Sequence, residues 1–329
     1  AGSSLTAAAE TPGPRPPAVP LVTHDPYFSV WAVTDKLTDD WPRHWTGTVH
    51  GLSALARVDG KPYRVMGPSP RNAPALKQIG LEVTPTQTVY AFAGAGVELR
   101  LTFTSPLLIK DLDVMSRPAT YITASFRATD GVPHAVSFFF DAPASLTVNT
   151  PDQKVVWGRS QVPGLEVMGI GSKDQPVLEK TGDDLRIDWG RLYLAVPKGE
   201  ASATALAPAY ACRDMFAASG RLPDADDMEM PRPADDDTAA AAVLDLGTVG
   251  GTAAARHLIL AYDDRFSIEY FYRKLRPYWR RSGWEARDLL VAAEKDYTSL
   301  LERCRVFDAE LMADMRKAGG EKYVFTASL

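Results

Sequence analysis

From residue 49 onward the chain alternates apolar and polar positions with a period of two, the spacing of strands that bury one face. Residues 49–58 and 61–66 flank Asp59-Gly60, and Asp-Gly between two apolar runs predicts a hairpin. Residues 81–92 and 97–103 flank a second turn at 94–96. The pattern continues through 121–127, 135–140, 154–158, 166–170, 184–189, 191–196, 201–205, 242–246 and 256–262. About a dozen short strands separated by turn residues predict an all-β fold, a sandwich rather than βαβ units. The strand number exceeds that of an immunoglobulin-like domain and predicts a large antiparallel β-sandwich, a supersandwich. One short helix is predicted over 208–219, stopped by Gly220.

The period changes near the end. Over 285–317, Leu289, Ala293, Tyr297, Leu300, Cys304, Phe307, Leu311 and Met315 step by three or four and share one helix face. A helix of that length is a rod about 50 Å long. Gly319-Gly320 is expected to stop it. No other long helix is predicted, so the stripe is expected to need a partner: the sandwich itself, or a helical domain beyond this region. The segment 276–283, basic and aromatic with Pro277 and Gly283 as breakers, reads as the joint between sandwich and helix. Arg276, Tyr278, Trp279 and Arg280 are its candidate anchors. Trp279 among arginines could also stack on nucleic-acid bases.

The chain thus divides into a leader remnant and Pro-rich tether (1–17), the supersandwich (18–275), the joint and connector helix (276–321) and a tail (322–329). The leader, rich in Ala, Ser and Pro, resembles the remnant left by signal cleavage, and a secreted or periplasmic location is the expectation.

A net charge of −5 offers no footprint for nucleic acid or an anionic membrane, and no stretch has the length of a membrane span. Two cysteines, Cys212 and Cys304, are too few for a thiolate zinc site and read as separate buried thiols. No metal or cofactor is expected. The loop 221–238 is acidic and broken by prolines; its spacing does not match an EF-hand, and it reads as a solvated loop.

Candidate chemistry concentrates in 24–47. This stretch holds His24, Asp25, Tyr27, Trp31, Trp41, His44 and Trp45, the residue types of a site for a polar small molecule or sugar. The histidines and carboxylates could form an acid–base pair; equally, the aromatic rings could lock a crossover segment onto the sandwich. Asp184, Arg186 and Asp188 alternate onto one face and read as a solvent-facing stripe, while His134 and His257 read as core or edge residues. No nucleophile elbow, HExxH or Walker loop is present.

The strings PLVTHDPYFSVWAVTDKLTD, RHWTG, RVDGKPYRVMG, GDDLRIDWGRLYLAV, LRPYWRR, AAEKDY and LLERCRVFDAELMADMRKAGGEKY are similar, in that order, to the glutaminase A family. The resemblance spans residues 20–323. It implies an exported protein in which an amino-terminal β-sandwich precedes a carboxy-terminal (α/α) toroid resembling glycoside-hydrolase catalytic domains. It further implies hydrolysis of L-glutamine to L-glutamate and ammonia. After GGEKY the sequence departs from the family pattern and runs VFTASL to Leu329. The resemblance therefore transfers no catalytic residue onto this chain, and the expected role is a noncatalytic module whose partner is the helical toroid. The alternatives are a carbohydrate- or peptide-binding sandwich using Trp31, Trp41 and Trp45, or part of a glycoside hydrolase.

Overall fold

A computed structural model describes residues 15–327. The expected leader lies almost wholly outside the described residues, as do the last two residues of the tail. In chain order, β1 (Val19–Asp25) and β2 (Phe28–Ala32) form a two-stranded hairpin; β3 (Ser53–Val58) and β4 (Lys61–Met66) form the next. A meander comes after them: β5 (Lys77–Val83), β6 (Gln87–Gly94) and β7 (Val97–Thr104), then a single turn of helix, α1 (Leu112–Met115). Next come β8 (Ala119–Ala128), β9 (His134–Pro143), β10 (Lys154–Val162), β11 (Leu165–Ser172), β12 (Arg191–Pro197) and β13 (Ala201–Pro208). The helix α2 (Ala209–Ser219) leads to β14 (Arg232–Pro233), β15 (Thr238–Val249) and β16 (Ala254–Asp263). A small hairpin, β17 (Ile268–Tyr270) and β18 (Arg273–Leu275), precedes α3 (Ala286–Ala327).

Two antiparallel sheets make the body. The larger has nine strands in the order β14-β10-β11-β12-β16-β8-β7-β6-β5; the smaller has five, β13-β15-β9-β3-β4. The expected all-β supersandwich with a long C-terminal helix is the observed fold.

Strand alternation explains the layers. In β9, Phe138 and Phe140 point between the sheets, while Phe139 points outward onto Phe216 of α2, ring centroids 5.3 Å apart. In β16, Leu258, Leu260 and Tyr262 face the inter-sheet core, while Ile259 and Ala261 face α3. A central strand apolar on both sides must be covered on both sides. The molecule is therefore four layers deep: α2, the five-stranded sheet, the nine-stranded sheet, α3.

The first half of the long helix already has a partner. Leu289, Leu290, Ala293, Leu300 and Cys304 are buried against Tyr121, Val167, Ala195 and Ile259 of the nine-stranded sheet. The expectation that the stripe needs a partner is thus met within this chain as far as Cys304. Polar contacts fix its position. The Tyr121 hydroxyl donates to the Ala293 carbonyl (2.7 Å), and His257 stacks on Tyr297 at 3.6 Å while its Nε2 bonds Glu294 (2.9 Å). Farther along, Asp308 accepts from the Thr84 and Thr86 hydroxyls and the Thr86 N–H. Leu311 and Met315 lie beyond this clamp and are half-exposed. At Gly320 (φ 73°, ψ −171°) the backbone leaves helical geometry, so the rod stops at the glycines as expected, and a separate short helix follows through Ala327.

Three local expectations need correction. Residues 81–92 are two strands, not one, because Pro85 lacks an N–H and the chain turns there, Thr84 N–H donating to the Gln87 carbonyl. Residues 49–52 precede the strand, which starts at Ser53. Residues 184–189 are not a strand, and Arg186 and Asp188 are buried. Arg186 donates to the Asn149 carbonyl and to Thr46, and Asp188 accepts from Gln153 (3.0 Å) and Lys180 (2.9 Å). Those partners let the charges leave water.

The α2 side is held by a buried ion pair. Arg213 clasps Asp141 of β9 with two bonds of 2.6 and 2.7 Å and lies 4.7 Å over the Trp41 ring. Replacing one partner strands the other charge in the interior. Arg213→Ala is expected to lower unfolding free energy by about 3–5 kcal/mol in urea denaturation; a loss within the range of an exposed pair would show that the clasp is dispensable.

Candidate functional site

The candidate residues sit around the β1–β2 hairpin and the loop after it. Asp25 makes the tight turn: its Oδ1 accepts the N–H groups of Tyr27 (2.7 Å) and Phe28 (3.0 Å). That turn places His24, Asp25, Ser29 and Trp31 on the wall of one open hollow of about 310 Å³, with Thr23, Pro26 and Trp45. A second hollow of about 190 Å³ adjoins it, lined by Pro26, Tyr27, Trp45, Gly182, Asp183 and Leu185. Trp45, 53% exposed, is common to both. Its indole N–H donates to the Pro26 carbonyl at 2.6 Å, which fixes the ring while leaving its surface open.

Trp41, four residues earlier, faces elsewhere. Its ring packs on Gly67 and Gly51 and beneath the Arg213 guanidinium. At Gly67 (φ 81°) a Cβ would sit 2.7 Å from the indole, so the slot exists only for glycine. The three tryptophans therefore do not form one exposed row: Trp31 is half-buried, Trp41 is anchored in its slot, and Trp45 alone of the three is exposed.

His44 lies beneath Trp45, ring centroids 5.6 Å apart. Its Nδ1 accepts the Thr46 N–H (3.3 Å), so the proton belongs on Nε2, which donates to the Pro26 carbonyl (3.1 Å). Both nitrogens are thus committed, and burial pushes the imidazole down to about 4. His24 bonds Thr120 Oγ1 through Nε2 (3.1 Å) and stacks on Phe28; burial pushes it down to about 3. Neither His24 nor His44 hydrogen-bonds a carboxylate among the described residues. Burial raises Asp25 to about 6, against the pull of its two N–H donors. The arrangement can present a neutral imidazole edge, a carboxyl group and an open indole to a polar ligand. It does not assemble the histidine–carboxylate pair considered from the sequence.

Sequence reading missed His50, which is fully buried 5.2 Å from His44 and has no hydrogen-bond partner on either nitrogen among the described residues. It also missed Asp264, held near 6 chiefly by burial, with the Asp25 charge adding to the rise. Both lie outside the 24–47 stretch in which the candidate chemistry concentrates. The separate joint is built as an anchor. Trp279 is buried and cannot stack on a base, whereas Arg280, also buried, pairs with Asp263 and Glu285 and lies over the Trp279 ring. Arg276 reaches Glu285 at 3.2 Å, and Tyr278 lies exposed under Arg281. The oxygens of Asp226 and Asp227 in the acidic loop are occupied by Arg159 and Arg232.

His50 gives the site a pH signature. Burial pushes it down to about 3, so it is neutral in the fold but takes a proton when unfolded below its ordinary value of 6.5. Its share of stability is complete above pH 6.5 and is lost as pH falls toward 3. Asp25 works in the opposite sense: its carboxyl, held near 6, costs stability as pH rises from about 4 through 6. His50→Leu is expected to remove about 2–3 kcal/mol of the stability lost between pH 7 and pH 4.5. Urea midpoints across that range measure it; identical pH slopes for both proteins would contradict the assignment.

Known proteins resemble this chain in sequence. A family model described as a domain of unknown function, DUF5127, matches residues 86–314, and a second, DUF4964, matches residues 3–76. Glutaminase A of Aspergillus oryzae is 27% identical over 342 aligned residues, covering 99% of this chain and 49% of that protein. A probable glutaminase of Arthroderma benhamiae is 23% identical over 56% of this chain and 23% of its own length. The chain thus spans half or less of the length of these curated relatives. A solved structure assigned as a kojibiose phosphorylase, from the human microbiome, superposes over 88% of this chain and 35% of its own, with a TM-score of 0.43 and 7% identity. Matched by the DUF5127 model over more than half its length, and similar to glutaminase A from end to end, the chain belongs to the DUF5127 family and is glutaminase-A-like.

Proposed function

We propose that this chain is the noncatalytic β-sandwich module of a longer, exported amidohydrolase that converts L-glutamine to L-glutamate and ammonia. One observation carries the reading: the likeness to glutaminase A covers 99% of this chain but only 49% of that relative. The site geometry supports it. Both nitrogens of His44 are engaged in fixed bonds, His24 bonds the Thr120 hydroxyl and not a carboxylate, and the Arg280 cluster uses its charges to brace α3. The module's part is to carry and orient a helical domain, with small-molecule substrate handled there. Neither a cofactor, a nucleic acid nor a membrane enters the scheme.

The test is ammonia release from L-glutamine by this chain and by the longer protein. The longer protein is expected to be active and this chain to fall at least about a thousandfold below it in kcat/KM. Comparable values would end the reading.

A second reading rests on Trp45, whose open indole between two hollows suits a sugar ring or a peptide side chain. In that case Trp45→Ala would abolish binding in a carbohydrate and peptide array without changing the melting temperature. An array with no Trp45-dependent ligand removes this alternative.

A further inference from the structure

The least expected surface of the molecule is the hairpin β17–β18. All residues of 268–276 are exposed, and the tip carries Tyr270, Phe271 and Tyr272. Phe271 is 78% and Tyr272 96% exposed. Ile268 and Leu275, paired across the strands, are exposed as well. The tip aromatics have one another for company: Tyr270 and Phe271 meet edge to face at 4.5 Å.

The turn itself is costly. Phe271 (φ 45°) and Tyr272 (φ 60°) both occupy the left-handed region, as a two-residue turn of this hand demands. Asn-Gly or Asp-Gly meets that demand with little strain, whereas bulky aromatic residues are rare there. Folding stability alone would not select Phe-Tyr, nor would it leave two aromatic rings in water. The stem, by contrast, is tied down. Trp189 Nε1 donates to the Phe266 carbonyl (3.1 Å), Ser267 N–H to the Leu275 carbonyl (2.9 Å), Ser267 Oγ to Asp264, and Lys274 Nζ to the Val177 carbonyl (2.6 Å). A fixed stem under an uncovered tip is the form of a preorganised binding element.

Charge and position point to its occupant. The stretch 265–276 holds Arg265, Arg273, Lys274 and Arg276 against Glu269 alone. It passes directly into the Arg280–Asp263–Glu285 anchor that sets the start of α3. The glutaminase A relative has about as much chain again outside the region matched here. We propose that the β17–β18 hairpin is an aromatic finger that docks into an apolar slot, rimmed by carboxylates, on the other half of the full-length protein. This deepens the module reading and rests on it.

Hydroxyl-radical labelling read by mass spectrometry tests it, with exposed Trp45 as internal reference. In the longer protein, labelling of Tyr270, Phe271 and Tyr272 is expected to be roughly tenfold slower than in the 329-residue chain. Equal rates overturn the proposal. So does a natural gene product that ends at Leu329, or labelling of the 329-residue chain that slows as its concentration rises, which would assign the finger to a second copy. A paired variant separates docking from folding: Phe271→Asn with Tyr272→Gly suits the turn and removes the aromatic rings. This chain should melt at an unchanged or higher temperature, while the longer protein should split into two melting transitions. A single unshifted transition in the longer protein rejects the finger. A longer protein with a shielded finger but no glutaminase activity would instead remove the functional reading and leave the docking intact.

Discussion

The structure depends on the covering of sheet faces that are apolar on both sides. β9 and β16 project large side chains inward and outward alike, so each sheet is insoluble on the side away from its partner until a helix lies over it. α2 does this for the five-stranded sheet and α3 for the nine-stranded one. The long helix is therefore an integral layer of this fold. Its polar clamps, from Glu294 with His257 to Asp308 with Thr84 and Thr86, choose where along the sheet it lies; the buried stripe supplies the adhesion.

Buried charge is used sparingly and at joints. Arg213–Asp141 ties α2 to the middle of its sheet, Arg280–Asp263 ties the approach to α3 to the end of β16, and Arg186 ties the irregular 184–189 segment to the loop bearing Trp45. Each connects elements far apart in sequence. Removing water from such a pair is worthwhile only if the geometry is then held, so these contacts specify position more than they add stability.

The strands were legible through their period-two apolar positions and the turn residues between them, and Asp59-Gly60 has the positive φ angles its sequence implies (49° and 76°); that Phe138–Phe140 bury both faces was not. The helix was legible because its stripe is long. What local pattern could not show was the fate of polar and aromatic residues whose partners are remote. Asp188 looks like a surface residue until Gln153 and Lys180 are placed beside it. Trp41 and Trp45 look equivalent until Gly67, remote in sequence, supplies a slot for one of them. The β17–β18 hairpin left no signal, since three-residue strands exposed throughout carry no alternation to read. Of the candidate site, the cluster around His24, Asp25, Trp31 and Trp45 was readable from composition; the bonds that settle what His44 can do were not.

The two cysteines have a bearing on how the layers come apart. Cys212 is sealed on the inner face of α2 and Cys304 on that of α3, and burial pushes their thiols up to about 12 and about 11. A thiol so placed is inert until its own cover lifts. The molecule thus carries a separate chemical clock beneath each helix, on opposite sides of the sandwich, and alkylation would time the loosening of one lid independently of the other.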